Sequence, residues 1–166
     1  MATESDLGLK WHPDIDKVAS FGNDHYFALV NNTPWSVNIC SGTAGDHKNG
    51  LNFTTKVEPN DCYVHVCSKL GWTFSSGGTF CVKANRNDVQ IIEFALSNPI
   101  VTGRKIHAVP VDTNEYGGAR AWKALEKTDT MKSFVYQNRT CVVKGEIQPG
   151  QNGCFVWKFC IQVSGN

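Results

Sequence analysis

The sequence predicts a mainly β protein: an antiparallel β-sandwich with a short N-terminal helix and one helix before the last hairpin. Three observations lead there. From Tyr26 onward, apolar and polar residues alternate in short runs, the period-2 mark of half-buried strands. Clusters of Gly, Pro, Asn and Asp separate these runs, as turns require. Fifteen Gly against two Met favour turns and strands over a helical bundle. The 166 residues, 41% of them hydrophobic, suffice for one domain with a full core. The change of texture near Tyr26 divides the chain into an N-terminal arm, 1–25, and a β domain, 26–166.

In the arm, Pro13 suits the first position of a helix, and Asp14 and Asp16 fall in its first turn, where negative charge is favoured. Ile15, Val18 and Ala19 recur at i, i+3, i+4, so a helix is expected over 13–21. Tyr26 to Val30 is a buried run and Asn31-Asn32-Thr33-Pro34 a turn. Trp35 to Cys40 alternates, and Ser41 to Gly50 is a polar loop. Leu51 to Val57 is a strand, ended by Glu58-Pro59-Asn60-Asp61. Further strands are expected at Cys62–Cys67, Thr79–Lys83, Val89–Leu96 and Lys105–Val109. Gly118, Trp122 and Leu125 share one face of a helix expected over Glu115–Lys127. Thr140–Ile147 and Cys154–Val163 close the chain as a hairpin with a Gly-rich tip. In its last strand Phe155, Trp157, Phe159 and Ile161 share one face, opposite Val156, Lys158, Cys160 and Gln162.

Composition removes several function classes. Sixteen basic and fifteen acidic residues give no basic footprint for nucleic acid. No apolar run approaches the roughly 18 residues of a membrane-spanning helix. The start, Met1 to Asp6, has no basic n-region and no apolar h-region, so no signal peptide is expected. The chain is expected in the cytoplasm, or released by a non-classical route to act at target membranes. Seven cysteines in such a chain point to reduced, structural thiols. Asn31, Asn52 and Asn138 head Asn-x-Thr sequons that matter only in a secreted protein.

No catalytic or metal motif stands out. Cys62 and Cys67 lack a second ligand pair at finger-like spacing, so no metal is expected, and no cofactor motif occurs. The loop Gly42 to Lys48 lacks the Gly-Lys-Ser/Thr ending of a P-loop. His65 and His107 are the candidate bases of an enzyme, but no acid/base pair has a fixed spacing. A binding protein, not an enzyme, is expected. Aromatics carry the stronger signal. Of five Trp, Trp35 and Trp72 lie beside turns, where an exposed indole stacks on a sugar or sits at a membrane interface; core packing is the plain alternative. Arg104-Lys105 form a basic spot of the kind that docks phosphate, or simply a solvated pair.

Three stretches carry a resemblance: Val30-Asn31-Asn32-Thr33-Pro34-Trp35 after an N-terminal helix; the run from Val57-Glu58-Pro59 through Gly77-Gly78-Thr79-Phe80 to Ser97-Asn98-Pro99; and Arg120-Ala121-Trp122 before the closing hairpin. Their order and spacing resemble the actinoporin-like cytolysins and the fungal fruit-body lectins that share their fold, with a related pattern in the aegerolysins. The resemblance implies a headgroup site beginning at Ser97 and Pro99. The cytolysins place tyrosines after this loop; here Ile100 to His107 has no Tyr or Trp. Arg104 and Lys105 would instead favour an anionic headgroup or sialic acid.

The expected function is that of a membrane-lipid-binding, cytolysin-like protein, with pore formation by homo-oligomers on membranes as the family's further capability. The alternative is a leaderless carbohydrate-binding lectin on the same fold. Trp35, Trp72, Ser97, Pro99, Arg104 and Lys105 are the expected headgroup or sugar contacts. Leu7, Trp11, Ile15 and Val18 form the expected membrane-insertion face. A helix over 13–21 covers only about 13 Å, whereas spanning takes about 20 helical residues; the plain alternative is an arm packed on the sandwich.

Overall fold

A computed structural model describes residues 11–18, 24–42, 54–69, 78–84, 90–97, 104–113, 123–124, 127, 133–137, 141–150 and 155–164. Helix α1 (Pro13–Val18) comes first. His12 caps it: the imidazole Nδ1 accepts the Asp14 N–H at 3.2 Å, and the Ile15 N–H reaches the His12 carbonyl at 3.0 Å. Strands follow as β1 (Asp24–Asn32), β2 (Val37–Gly42), β3 (Thr54–Val57), β4 (Asp61–Lys69) and β5 (Gly78–Ala84). After them come β6 (Gln90–Ser97), β7 (Lys105–Thr113), β8 (Ser133–Gln137), β9 (Cys141–Pro149) and β10 (Phe155–Val163). The turn at Glu58 is the expected one. Asp61 N–H donates to the Glu58 carbonyl at 3.2 Å, and Asn60 has φ 61° after Pro59, the type II pattern that favours Asn or Gly there.

The strands form two five-stranded sheets. Sheet A has the order β4-β1-β10-β9-β8, and sheet B the order β3-β2-β5-β6-β7. The expectation of a wholly antiparallel fold is corrected at one place: β1 and β10 pair in parallel, from Tyr26 opposite Val156 to Asn32 opposite Gln162. Parallel neighbours need a crossover between them, and here the chain from β2 to β9 supplies it. A second correction is β8, where no strand was expected; it pairs with β9 at the edge of sheet A. Of the helix expected over Glu115–Lys127, only Lys123 and Ala124 are described as helical, and most of the segment lies outside the described residues.

One hydrophobic cluster draws on both sheets, including Phe27, Trp157 and Phe159 from sheet A and Ile39, Phe94 and Leu96 from sheet B. Phe94 meets Phe159 edge-on with ring centroids 4.5 Å apart. A second cluster lies on the other face of sheet A, where Ile15 of α1 packs with Ala28, Val30, Val142, Val156 and Cys160. Sheet A is therefore covered on both faces over part of its area. That explains the unbroken burial from Val156 to Ile161, including Lys158, where a half-buried strand would alternate.

Candidate functional site

The candidate site lies where β6 gives way to β7. The register sets Ser97, the last residue of β6, opposite Lys105, the first of β7. Arg104 precedes it, and its guanidinium carbon lies 3.6 Å above the centre of the Phe155 ring. Phe155 opens β10 and leans on Trp157, with centroids 6.4 Å apart. The buried Trp157 indole then donates to the Lys105 carbonyl at 3.2 Å. A continuous ladder thus runs from Arg104 through two aromatic rings back to the residue beside it.

Burial lowers the Arg104 pKa from its ordinary value, yet an arginine remains cationic at neutral pH. Its Nε is buried and has no hydrogen-bond partner among the described residues. A guanidinium stacked on a ring keeps its in-plane N–H groups for oxygen acceptors, and a phosphate or carboxylate can accept two at once. Phe155 was read from sequence as a core residue only. Its place at the exit of the hairpin was the available signal, but its pairing with Arg104 arises from packing between distant segments.

The remaining expected residues scatter. Trp35 sits on the β1–β2 turn, partly buried against the main core. Val37, just after it, lies opposite Ala84, and Lys83 lies opposite Gln90, so Trp35 adjoins the start of β6. Ser97 closes β6 at the other end of the sheet. Trp35 and the Arg104 ladder therefore do not meet. Trp72 and Pro99 lie outside the described residues, as does the Ser97 side chain.

Of the expected insertion face, Ile15 is fully buried on sheet A. Trp11 lies beside it, with the Lys144 ammonium 4.1 Å and the Lys158 ammonium 4.4 Å from its ring centre. Both lysines are almost completely buried, and the Lys158 ammonium also lies 3.9 Å from the Glu146 carboxylate. Trp11 therefore closes over two cations on the outer face of sheet A, a cation–π arrangement that strengthens as water is removed. Val18 ends α1, and Leu7 lies outside the described residues.

The thiols and imidazoles are dispersed. Among the described residues Cys62, Cys141 and Cys160 are thiols outside any disulfide. Burial pushes the Cys141 thiol up to about 12, so it stays protonated and unreactive at neutral pH. The Cys160 sulfur accepts from the Asn32 amide at 3.2 Å. His65 Nδ1 lies 3.2 Å from the Tyr63 hydroxyl, on β4. His107, on β7, lies between Ile106 and Ala108 of the main cluster and so faces away from it.

Burial lowers the His107 pKa from 6.5. The unfolded chain then takes up a proton at a higher pH than the fold does, so stability falls as pH drops through about 6.5 towards the folded pKa. Urea midpoints measured from pH 7.5 to 5 are expected to fall, and His107→Gln is expected to flatten that slope. An unchanged slope in the variant would remove His107 as its source.

Two comparisons with known proteins find nothing: no family model matches the chain, and no curated protein matches it in sequence. Solved structures do match its fold. The lipid binding protein Nakanori aligns with a TM-score of 0.56 at 10% identity, over 89% of this chain and 75% of that one. The Xerocomus chrysenteron lectin aligns with a TM-score of 0.51 at 10% identity, over 83% of this chain and 99% of that one. The likeness to the fungal lectin and aegerolysin-type folds, read first from the order of turns and strands, therefore holds as a likeness of fold.

Proposed function

We propose that the protein binds the phosphate-bearing headgroups of membrane lipids, with Arg104 and Lys105 as the cationic contacts at the Ser97 end of sheet B. The observation that carries this reading is the Arg104 guanidinium held 3.6 Å over Phe155, a stacking that leaves its in-plane terminal N–H groups for an oxygen acceptor. A ring-stacked guanidinium suits a phosphate better than a neutral hydroxyl, because an ionised acceptor roughly doubles hydrogen-bond strength. The fold supports a binding role of this kind, since one structural neighbour is a lipid-binding protein and another a lectin. The core shared between the two sheets supports the β-sandwich arrangement. In this reading the protein is a binder, not an enzyme, and assembles on the membrane it recognises.

Pore formation is a separate step. Helix α1 has six residues, about 9 Å of helix against a hydrocarbon core of about 30 Å. No helix among the described residues is long and apolar enough to cross a membrane. Insertion of the arm would also require Trp11 and Ile15 to leave sheet A.

The test is co-sedimentation with sphingomyelin-containing vesicles, run beside a glycan array. Wild type is expected to pellet with the vesicles. Arg104→Gln is expected to weaken binding about tenfold, the loss of one charge-assisted contact. A saccharide hit without vesicle binding would replace this reading with the lectin, and no binding in either assay would contradict both.

A further inference from the structure

We propose that His12, Asp61 and Cys62 form a zinc-binding site that clips the N-terminal arm to strand β4. This site lies apart from the Arg104 ladder and does not depend on the headgroup reading.

The fold brings together what the sequence keeps far apart. His12 stands at the start of α1, while Asp61 and Cys62 open β4 after the type II turn. One ligand atom from each of the three lies within 4.8 Å of the other two. A tetrahedral zinc ion with nitrogen, oxygen and thiolate ligands holds its donors roughly 3.3–3.7 Å apart. Side-chain rotations of about an ångström close that difference. The freedom exists, because Asp61 is exposed and His12 and Cys62 are only partly buried.

Local contacts hold the His12 ring and the Asp61 carboxylate. In the metal-free fold His12 Nδ1 accepts the Asp14 N–H at 3.2 Å; coordination through Nε2 would place the ring proton on Nδ1 instead, where the Asp14 carboxylate, 3.7 Å away, can accept it. Asp61 is held by the Cys62 N–H, which donates to Oδ1 at 2.8 Å.

The chemistry of the set selects the metal. Imidazole, carboxylate and thiol together fit zinc, a borderline ion that accepts all three. Calcium and magnesium prefer oxygen donors alone. The carboxylates of Asp61, in the set, and Asp14, 3.7 Å from the His12 ring, give the site a negative charge that a dication offsets. On binding, Cys62 gives up its thiol proton to solvent, and the resulting thiolate and the Asp61 carboxylate balance the two positive charges. Three protein ligands leave the fourth position to water.

The ligands come from the arm and from sheet A, so the ion would tie the two together. It would act beside the Trp11 contact with Lys144 and Lys158, as a second fastening of the same arm.

The experiment titrates reduced protein with cobalt(II), then zinc(II), in the absence of air. The expected result is a thiolate-to-cobalt charge-transfer band that saturates at one equivalent and disappears when zinc is added. His12→Gln and Cys62→Ser are each expected to weaken zinc binding by about tenfold or more, since even loss of a supporting contact costs that much. Both substitutions lie outside the main core, and metal-free melting curves that match wild type show that the fold is kept. Hydrogen exchange supplies a second readout: zinc should slow exchange of the α1 amides in wild type and leave them unchanged in His12→Gln. Absence of the band, or one that persists unchanged in both variants, would overturn the proposal. So would zinc binding without any effect on α1 exchange.

Discussion

Trp157→Ala is expected to lower the free energy of unfolding by about 4 kcal/mol, in the range for deleting a large buried aromatic. Trp157 is fully buried and belongs to the cluster shared by both sheets. Its indole also donates to the Lys105 carbonyl across the core. Trp157→Phe separates the two contributions. It keeps most of the apolar volume but removes the bond to the part-buried Lys105 carbonyl, which costs about 1 kcal/mol. The phenylalanine variant should also weaken headgroup binding, because Phe155, on which Arg104 is stacked, leans on this ring. Urea unfolding followed by far-UV circular dichroism measures both losses. A cost below about 1 kcal/mol for the alanine variant would show that Trp157 does not hold the core as described.

Asn31→Ala is expected to cost about 3 kcal/mol. Asn31 is the last residue but one of β1 and is fully buried. Its amide donates to the Trp35 carbonyl at 2.7 Å and the Val57 carbonyl at 3.1 Å. Its side-chain oxygen accepts from the Thr33 N–H at 3.0 Å and the Thr33 hydroxyl at 2.6 Å. One side chain therefore shapes the turn between the sheets and ties it to β3. Alanine removes all four contacts, three of them buried, and leaves the Val57 carbonyl without this donor in the interior. Asn31→Asp should be worse still, because a carboxylate would face two carbonyl oxygens. Denaturant midpoints for both variants test this, and a loss below about 1 kcal/mol in either would contradict it. The geometry also accounts for the sequon at Asn31, whose amide is already engaged inside the fold.

Much of the fold was legible because most of its strands obey short-range rules. The alternation from Phe155 to Gln162 matches the two clusters on either face of β10. Pro13, Asp14 and Asp16 marked the start of α1, and Pro59-Asn60 marked a turn whose positive φ suits Asn. Strand β8 was not legible: it has five residues, pairs on one side only, and carries no long period. The parallel pairing of β1 with β10 joins the two ends of the chain, and no local pattern encodes it.

The candidate site was half legible. Arg104 and Lys105 stood out as adjacent cations after a turn. Phe155 did not, because a ring at the edge of a core and a ring beneath a guanidinium look alike in sequence. Lys158 falls on the strand face opposite Trp157 in the sequence, and Lys144 carries no signal there; both are buried because Trp11 and α1 cover that face. Trp35 looked like an exposed contact, but the turn made by Asn31 and Thr33 packs it partly on the core. His12 offered no metal-binding spacing, since its neighbours Asp61 and Cys62 join it only through the docking of α1.

The central claim is that headgroups bind at the Arg104 ladder. The most direct measurement is an NMR titration of labelled protein with a soluble short-chain phosphatidylcholine. The account predicts shifts concentrated at Arg104, Lys105 and Phe155, with the Trp157 indole N–H moving through its bond to Lys105. Shifts centred instead on Trp35 and its neighbours at the opposite end of the sheet, or no saturable shifts at all, would contradict it.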